Sequence, residues 1–187
     1  MRKSLTALLA LATVSFGSNA LAVDNITREG FFFSPYVGAD YDYTHFTDTP
    51  AGVESDYSGY NLHAGVRFHK NLGIEAGYFA TETGEGTVSG FDVETDFEGA
   101  NIDLMGYLPV SNEFELIGSI GAVYTHGEVS IPNVVTVKGS DWDARYGLGM
   151  QYWFNNNINT RTMVHYSSDA NAGSDTVIGS VGLNLHF

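Results

Sequence analysis

The sequence predicts an all-β protein, an eight-stranded antiparallel up-and-down transmembrane β-barrel, and three observations predict it. Apolar and polar residues alternate with a period of two in segments of about ten, the length a tilted strand needs to cross a bilayer. The links between these segments are alternately short and long. Outward-facing aromatic residues gather at two heights. A soluble sandwich with one wet face accounts for the first observation, but it gives no reason for the other two.

The chain opens on Met1-Arg2-Lys3, continues through a mostly apolar run from Leu5 to Phe16, and reaches "SNALA" with small residues at Ala20 and Ala22. This is the pattern of a secretory signal peptide over residues 1–22, too short for a membrane helix. Residues 23–187 are then expected to form one barrel domain.

In the first strand, "PYVGADYDYT", Val37, Ala39, Tyr41 and Tyr43 share one face, opposite Gly38, Asp40, Asp42 and Thr44. In the second, Tyr60, Leu62, Ala64, Val66 and Phe68 alternate with Asn61, His63, Gly65, Arg67 and His69. In the third, Leu72, Ile74, Ala76, Tyr78 and Ala80 alternate with Gly73, Glu75, Gly77, Phe79 and Thr81. Five more strands are expected at about 95–108, 113–126, 141–154, 157–168 and 176–187.

The links at Lys70-Asn71, Pro109 to Asn112 and Asn155-Asn156 are short, and those near 46–56, 82–94, 127–140 and 169–175 are expected to be long. Short turns on one side and long loops on the other follow when strand number is even and both chain ends lie on the same side. With strands running alternately up and down, Phe68, Phe114, Tyr152, Phe154 and Phe187 fall at the rim carrying the short turns. Tyr43, Tyr60, Tyr124, Trp142 and Tyr166 fall at the other. Amphipathic rings prefer these two membrane-water interfaces.

Composition excludes other classes. The 187 residues carry a net charge of −14, more acidic still without the basic signal, so nucleic acid is an unsuitable partner. There is no cysteine, hence no disulfide scaffold. The mean hydropathy of −0.07 is no argument against a membrane location, because the alternating strands of a barrel average to neutral.

The segments "NLGIEAGYFA", "NIDLMGYLPV", "RYGLGMQYWF", "INTRTMVHY" and "VGLNLHF" resemble, in order and spacing over about 30–187, the OmpA-like family of small eight-stranded outer-membrane barrels. The resemblance implies a monomer in the outer membrane of a Gram-negative bacterium, among its lipid and lipopolysaccharide, without a cofactor. It also implies insertion by the barrel-assembly machinery, which recognises a last strand ending in an aromatic residue, here Phe187. By the same resemblance, Glu75 and Arg161 match the acidic and basic positions of the family's lumenal gate. The pattern departs elsewhere: Asp103 and Met105 occupy the strand where a lysine is expected, and Gln151 stands in place of an acid.

Glycines at 38, 65, 77, 121, 147, 149 and 182 leave lumenal space beside long polar side chains, including Gln151 and His186. An eight-stranded barrel is just wide enough for its side chains to fill it. The lumen is therefore expected to hold a static charge network of Arg67, Glu75, Asp103, Arg145 and Arg161, with Arg67 and Arg161 in reach of Glu75 and Asp103, and with Phe79, Met105 and Met163 as filler.

Two rival sites are weighed against this. His165 and Ser167 resemble the catalytic pair of outer-membrane lipid A deacylases, with a Ser nucleophile and a His base. The expected acid is missing from the last strand at Ile178, Gly179 and Ser180, which leaves Asp169 or Asp175 to orient the His, and the register points the pair into the lumen. The stretch with Glu82, Glu85, Asp92, Glu94, Asp96 and Glu98 contains no Lys or Arg, but it lacks the Asp-x-Asp-x-Asp-Gly spacing of a calcium loop and reads as a solvated acidic loop. The six histidines show no metal-ligand spacing. The expected function is a non-enzymatic surface or structural role in adhesion, envelope integrity or host interaction through the loops, with a weak narrow porin as the transport alternative.

Overall fold

The structure is a computed structural model, and it describes residues 29–47, 55–88, 91–131, 135–168 and 175–187. The expected signal peptide and Asp169 lie outside these residues. Among the described residues nine strand segments run in chain order: β1 (Phe31–Phe46), β2 (Asp56–His69), β3 (Leu72–Thr81), β4 (Gly84–Val88), β5 (Phe91–Pro109), β6 (Phe114–Ile131), β7 (Val135–Trp153), β8 (Ile158–Ser168) and β9 (Asp175–His186). All pairings are antiparallel, in the order β3-β2-β1-β9-β8-β7-β6-β5. The ladder from Leu72↔Gly106 to Ala80↔Glu98 returns β5 to β3 and closes the barrel. β4 continues along β5 beyond β3, from Gly84↔Thr95 to Val88↔Phe91, so the nine segments make eight staves.

Closure explains why a chain with so little apolar core holds together. In hydrocarbon an unpaired backbone group costs several kcal/mol, so the sheet must have no edge there. The last stave runs along β1 from Tyr36↔His186 to Phe46↔Thr176, and the Phe187 amide donates to the Pro35 carbonyl at 3.0 Å. Polarity is inverted relative to a soluble protein: Leu148 on the outside is 75% exposed, whereas Arg67 and Glu115 inside are 0% exposed.

The short turns are built by local side-chain acceptors. Asn155 Oδ1 accepts from the amides of Asn157 and Ile158, both at 2.9 Å, and Ser111 Oγ accepts from the amides of Glu113 and Phe114 at 3.3 and 3.1 Å. Asn and Ser at the first turn position do this routinely. Phe68 marks a register shift between Arg67 and His69, ahead of the Lys70-Asn71 turn.

Two of the expected long links are corrected. Residues 82–94 and 127–140 are mostly ladder: β4 pairs with β5, and β6 pairs with β7 up to Ile131↔Val135. The Gly-, Ser- and Thr-rich composition that reads as loop is overridden because each segment has a neighbour already in register to pair with. β5, β6 and β7, at 19, 18 and 19 residues, are nearly twice the length needed to cross lipid. The excess stands as a raised wall on the side opposite the short turns.

Closure has a measurable consequence. The protein in detergent will migrate faster unheated than boiled, because the hydrogen-bonded barrel persists until heated, and Phe187→Ala will reduce the fast-migrating fraction more than Glu113→Ala in the exposed turn. Equal fractions in the two variants would remove any assembly role for the terminal ring. Asp175 begins β9, and its carbonyl accepts from the Thr47 amide at 3.0 Å and hydroxyl at 2.9 Å.

Candidate functional site

The lumen is layered. At the end carrying the short turns, Glu115 on β6 is the hub. Its carboxylate accepts from Arg67 Nη1 at 3.0 Å and Nη2 at 2.7 Å, from Trp153 Nε1 at 2.9 Å, and from Gln151 Nε2. The Arg67 guanidinium also lies 4.3 Å from the Tyr107 ring centroid and donates to the Lys70 carbonyl. Trp153 and Tyr36 flank the His186 ring at 4.6 and 4.7 Å. Together these side chains plug the barrel.

One layer higher, Arg161 on β8 joins two carboxylates. It donates to Glu75 at 2.6 and 3.1 Å and to Asp40 at 3.2 and 2.6 Å. The Tyr36 hydroxyl donates to Glu75 at 2.8 Å, and His63 lies 3.4 Å from Asp40 and 2.6 Å from Asn184. Such charges are tolerated in a low-dielectric interior because each meets an opposite charge in good geometry. Glycine lets these groups lie against the wall: a Cβ at Gly65 would overlap the Tyr36 ring, and one at Gly182 would overlap Asp40.

The third layer is looser. Asp103 accepts from Asn101 Nδ2 at 2.7 Å and lies 3.8 Å from Arg145 Nε. Asp42 Oδ1, Asp103 Oδ1, Arg145 Nε and His165 Nδ1 are buried with no hydrogen-bond partner among the described residues. Above them the lumen opens into a cup of about 480 Å³ whose lining includes Thr44, Phe46, Phe79, Phe97, Asp143 and Ser167.

This geometry corrects the expected network in three ways. Arg67 pairs with Glu115 rather than Glu75, because both sit at the barrel end while Glu75 lies a layer above. Asp103 faces Arg145 instead of Arg67 or Arg161. The lumen is filled tightly through its lower two layers and loosely through the third, and Phe79 lines the open cup above them. Met105 and Met163 do sit inside, packed with Tyr107 and Ile117. Sequence reasoning did not single out Glu115, Asp40, Tyr36, Tyr107 or Trp153, though every one lies on the lumenal register of its strand.

His165 is buried in the lumen, and Ser167 lines the cup. Asp175 is engaged by the Tyr166 side chain, so it does not orient His165. Among the described residues no group of three or more His, Asp or Glu is placed to hold a metal ion. The expected acidic loop is largely strand: Glu94, Asp96 and Glu98 alternate along the outer face of β5, and Glu98 accepts from the Tyr78 hydroxyl at 2.7 Å.

Of the expected girdle residues, Tyr43, Tyr60, Trp142, Tyr152, Phe154, Tyr166 and Phe187 are exposed on the outer surface, while Phe68, Phe114 and Tyr124 are half-buried. Phe31, Phe33, Tyr41, Tyr78 and Tyr146 add to the two belts. Above the upper belt, His45, Tyr43 and Ser55 all hydrogen-bond Asp56, which holds its carboxyl below the usual carboxylate range.

The family model for the outer membrane protein beta-barrel domain matches residues 6–187. The chain belongs to that family. It is a bacterial outer-membrane protein, and its fold recurs in solved barrels of low identity. Ail, the attachment invasion locus protein of Yersinia pestis, solved with the heparin analogue sucrose octasulfate, has 15% identity and a TM-score of 0.63, over 83% of this chain and 99% of Ail. Neisserial surface protein A has 11% identity and a TM-score of 0.63, over 82% of this chain and 97% of its own. OprG of Pseudomonas aeruginosa has 14% identity and a TM-score of 0.59, over 85% and 98%. A search of curated proteins finds no match.

Proposed function

We propose that this outer-membrane barrel is a non-enzymatic surface-binding protein that holds a basic macromolecular partner, such as a lysine-rich protein segment, on the outer face of its raised wall. The observation that carries the reading is the chemistry of that face. Glu94, Asp96 and Glu98 project from β5, and across the ladder Asp96 sits opposite Glu128. Lys138 is paired with Glu128 at 2.7 Å and so adds little positive field. A stripe of net negative charge held on a rigid sheet steers and orients an oppositely charged partner.

Ail was solved with a sulfated sugar, a polyanion. The acidic wall here argues for the opposite charge preference. With the barrel in zwitterionic nanodiscs, a fluorescent lysine-rich peptide is expected to bind in a salt-sensitive way, and sucrose octasulfate is not. Replacing the stripe (Glu94→Gln, Asp96→Asn, Glu98→Gln together) should weaken the peptide by about tenfold, or about 1.4 kcal/mol. Unchanged peptide binding by the triple variant, or preference for sucrose octasulfate, would overturn the reading.

A further inference from the structure

The cup at the open end of the lumen lies inside the barrel wall, above the Arg161 and Arg67 layers, and meets the outer wall face at its rim, at Lys138. Its volume of about 480 Å³ falls within the range of small-molecule sites. It is blind, because the Arg161 and Arg67 layers occupy the lumen beneath. One wall is aromatic: Phe46 and Phe97 rings lie 4.8 Å apart, and Tyr57 backs both at 5.6 and 5.2 Å. The charged lining is predominantly acidic, with Asp141 and Asp143 on β7 and a single cation at the rim, Lys138, that is already paired with Glu128.

A second, independent observation lies directly underneath. Asp42 is the next lumen-facing residue on β1 below Thr44, which lines the cup, and its side chain is buried with Oδ1 unpartnered among the described residues. Arg145, the cation of that layer, lies nearest to Asp103, at 3.8 Å. A buried carboxylate oxygen without a donor is costly unless something supplies one. Aromatic faces above such a carboxylate attract a cation, and most strongly one with an apolar body that is cheap to desolvate.

We propose that the cup binds a small organic cation of the alkylammonium or arylammonium class, its charge above Asp42 and its apolar part against Phe46, Phe79 and Phe97. The rings select for the apolar body, and Asp42 together with the lining carboxylates Asp141 and Asp143 selects for the positive charge. Because the lumen is plugged below, the cation is held rather than passed.

The test titrates benzyltrimethylammonium into the refolded chain in non-ionic micelles by calorimetry, with benzyl alcohol and benzoate as neutral and anionic comparators. One site per barrel is expected, with both comparators weaker by at least about tenfold. Asp42→Asn should weaken the ammonium by about tenfold, while Glu113→Gln in the short turn and the triple variant of the outer wall leave it unchanged. In wild-type protein, methyl resonances of Val123 and Ile178 should shift on titration and those of the lipid-facing Leu148 should not. That measurement stands even where Asp42→Asn fails to fold. Equal binding of benzyl alcohol, wild-type affinity in folded Asp42→Asn, no heat, or shifts confined to the outer surface would each overturn the proposal.

Discussion

Arg161→Ala will destabilise the barrel by roughly 3–5 kcal/mol, the usual cost of breaking a buried ion pair by removing one partner. The size follows from what is left behind. Arg161 makes four hydrogen bonds to two carboxylates that are nearly inaccessible. Without it, Glu75 keeps only the Tyr36 hydroxyl within 3 Å, and Asp40 keeps His63 at 3.4 Å. Two buried carboxylates then repel across the space the guanidinium occupied. The readout is the temperature at which the fast-migrating band is lost in detergent gels, together with the urea midpoint of refolding in micelles. Arg161→Lys should recover only part of the loss, since an ammonium cannot bridge two carboxylates in the planar, forked manner of a guanidinium. Adding Glu75→Gln to Arg161→Ala should restore stability, because it removes one stranded charge. An additive or worse double variant would show that the loss comes from packing rather than charge.

The staves were legible in the sequence because period two is a geometric property of a strand, and a bilayer on one side with a lumen on the other enforces it along every stave. The Glu75–Arg161 contact was legible as one of several that the lumenal register allows, and the resemblance named the same pair. Alternation places both residues inside but says nothing about which layer each occupies. That gap also hid Asp40, whose face was assigned and whose partner was not. It likewise led Arg67 to be matched with Glu75. Layer height depends on the stagger between neighbouring strands, which depends on the register of all eight pairings at once.

Glu115 was missed for a different reason. It lies just past the Pro109 to Asn112 turn, where an acid ordinarily faces water, and only the cross-strand pairing Glu115↔Gln151 reveals that it stands beside the position where resemblance expects an acid. The acid is present, one stave over. The raised wall was misread because glycine, serine and threonine mark loops in isolation, while in this fold the decisive factor is a neighbouring strand that extends equally far.

Glu115→Ala should loosen the plug at the short-turn end without opening a pore. The substitution removes the acceptor of Arg67, Gln151 and Trp153 together, leaving a buried guanidinium with backbone carbonyls and the Tyr107 face as its remaining contacts. A destabilisation similar to that of Arg161→Ala, roughly 3–5 kcal/mol, is expected. In a Trp142→Phe background Trp153 is the single tryptophan left, so its emission reports the plug directly: the band should shift to the red and become more accessible to a soluble quencher when Glu115 is lost. Glu115→Gln should leave the emission nearer wild type, because an amide oxygen still accepts from the indole, yet it should lose most of the stability, because it no longer neutralises Arg67. Planar-bilayer recordings separate the layers. Wild-type protein should give no steady porin-like current, and neither should Glu115→Ala, since the Arg161, Glu75 and Asp40 layer still spans the lumen above. Only a variant lacking both Glu115 and Arg161 should conduct steadily. Steady conductance in Glu115→Ala alone would show that the lower plug is the whole barrier, and steady conductance in wild-type protein would make transport the leading function.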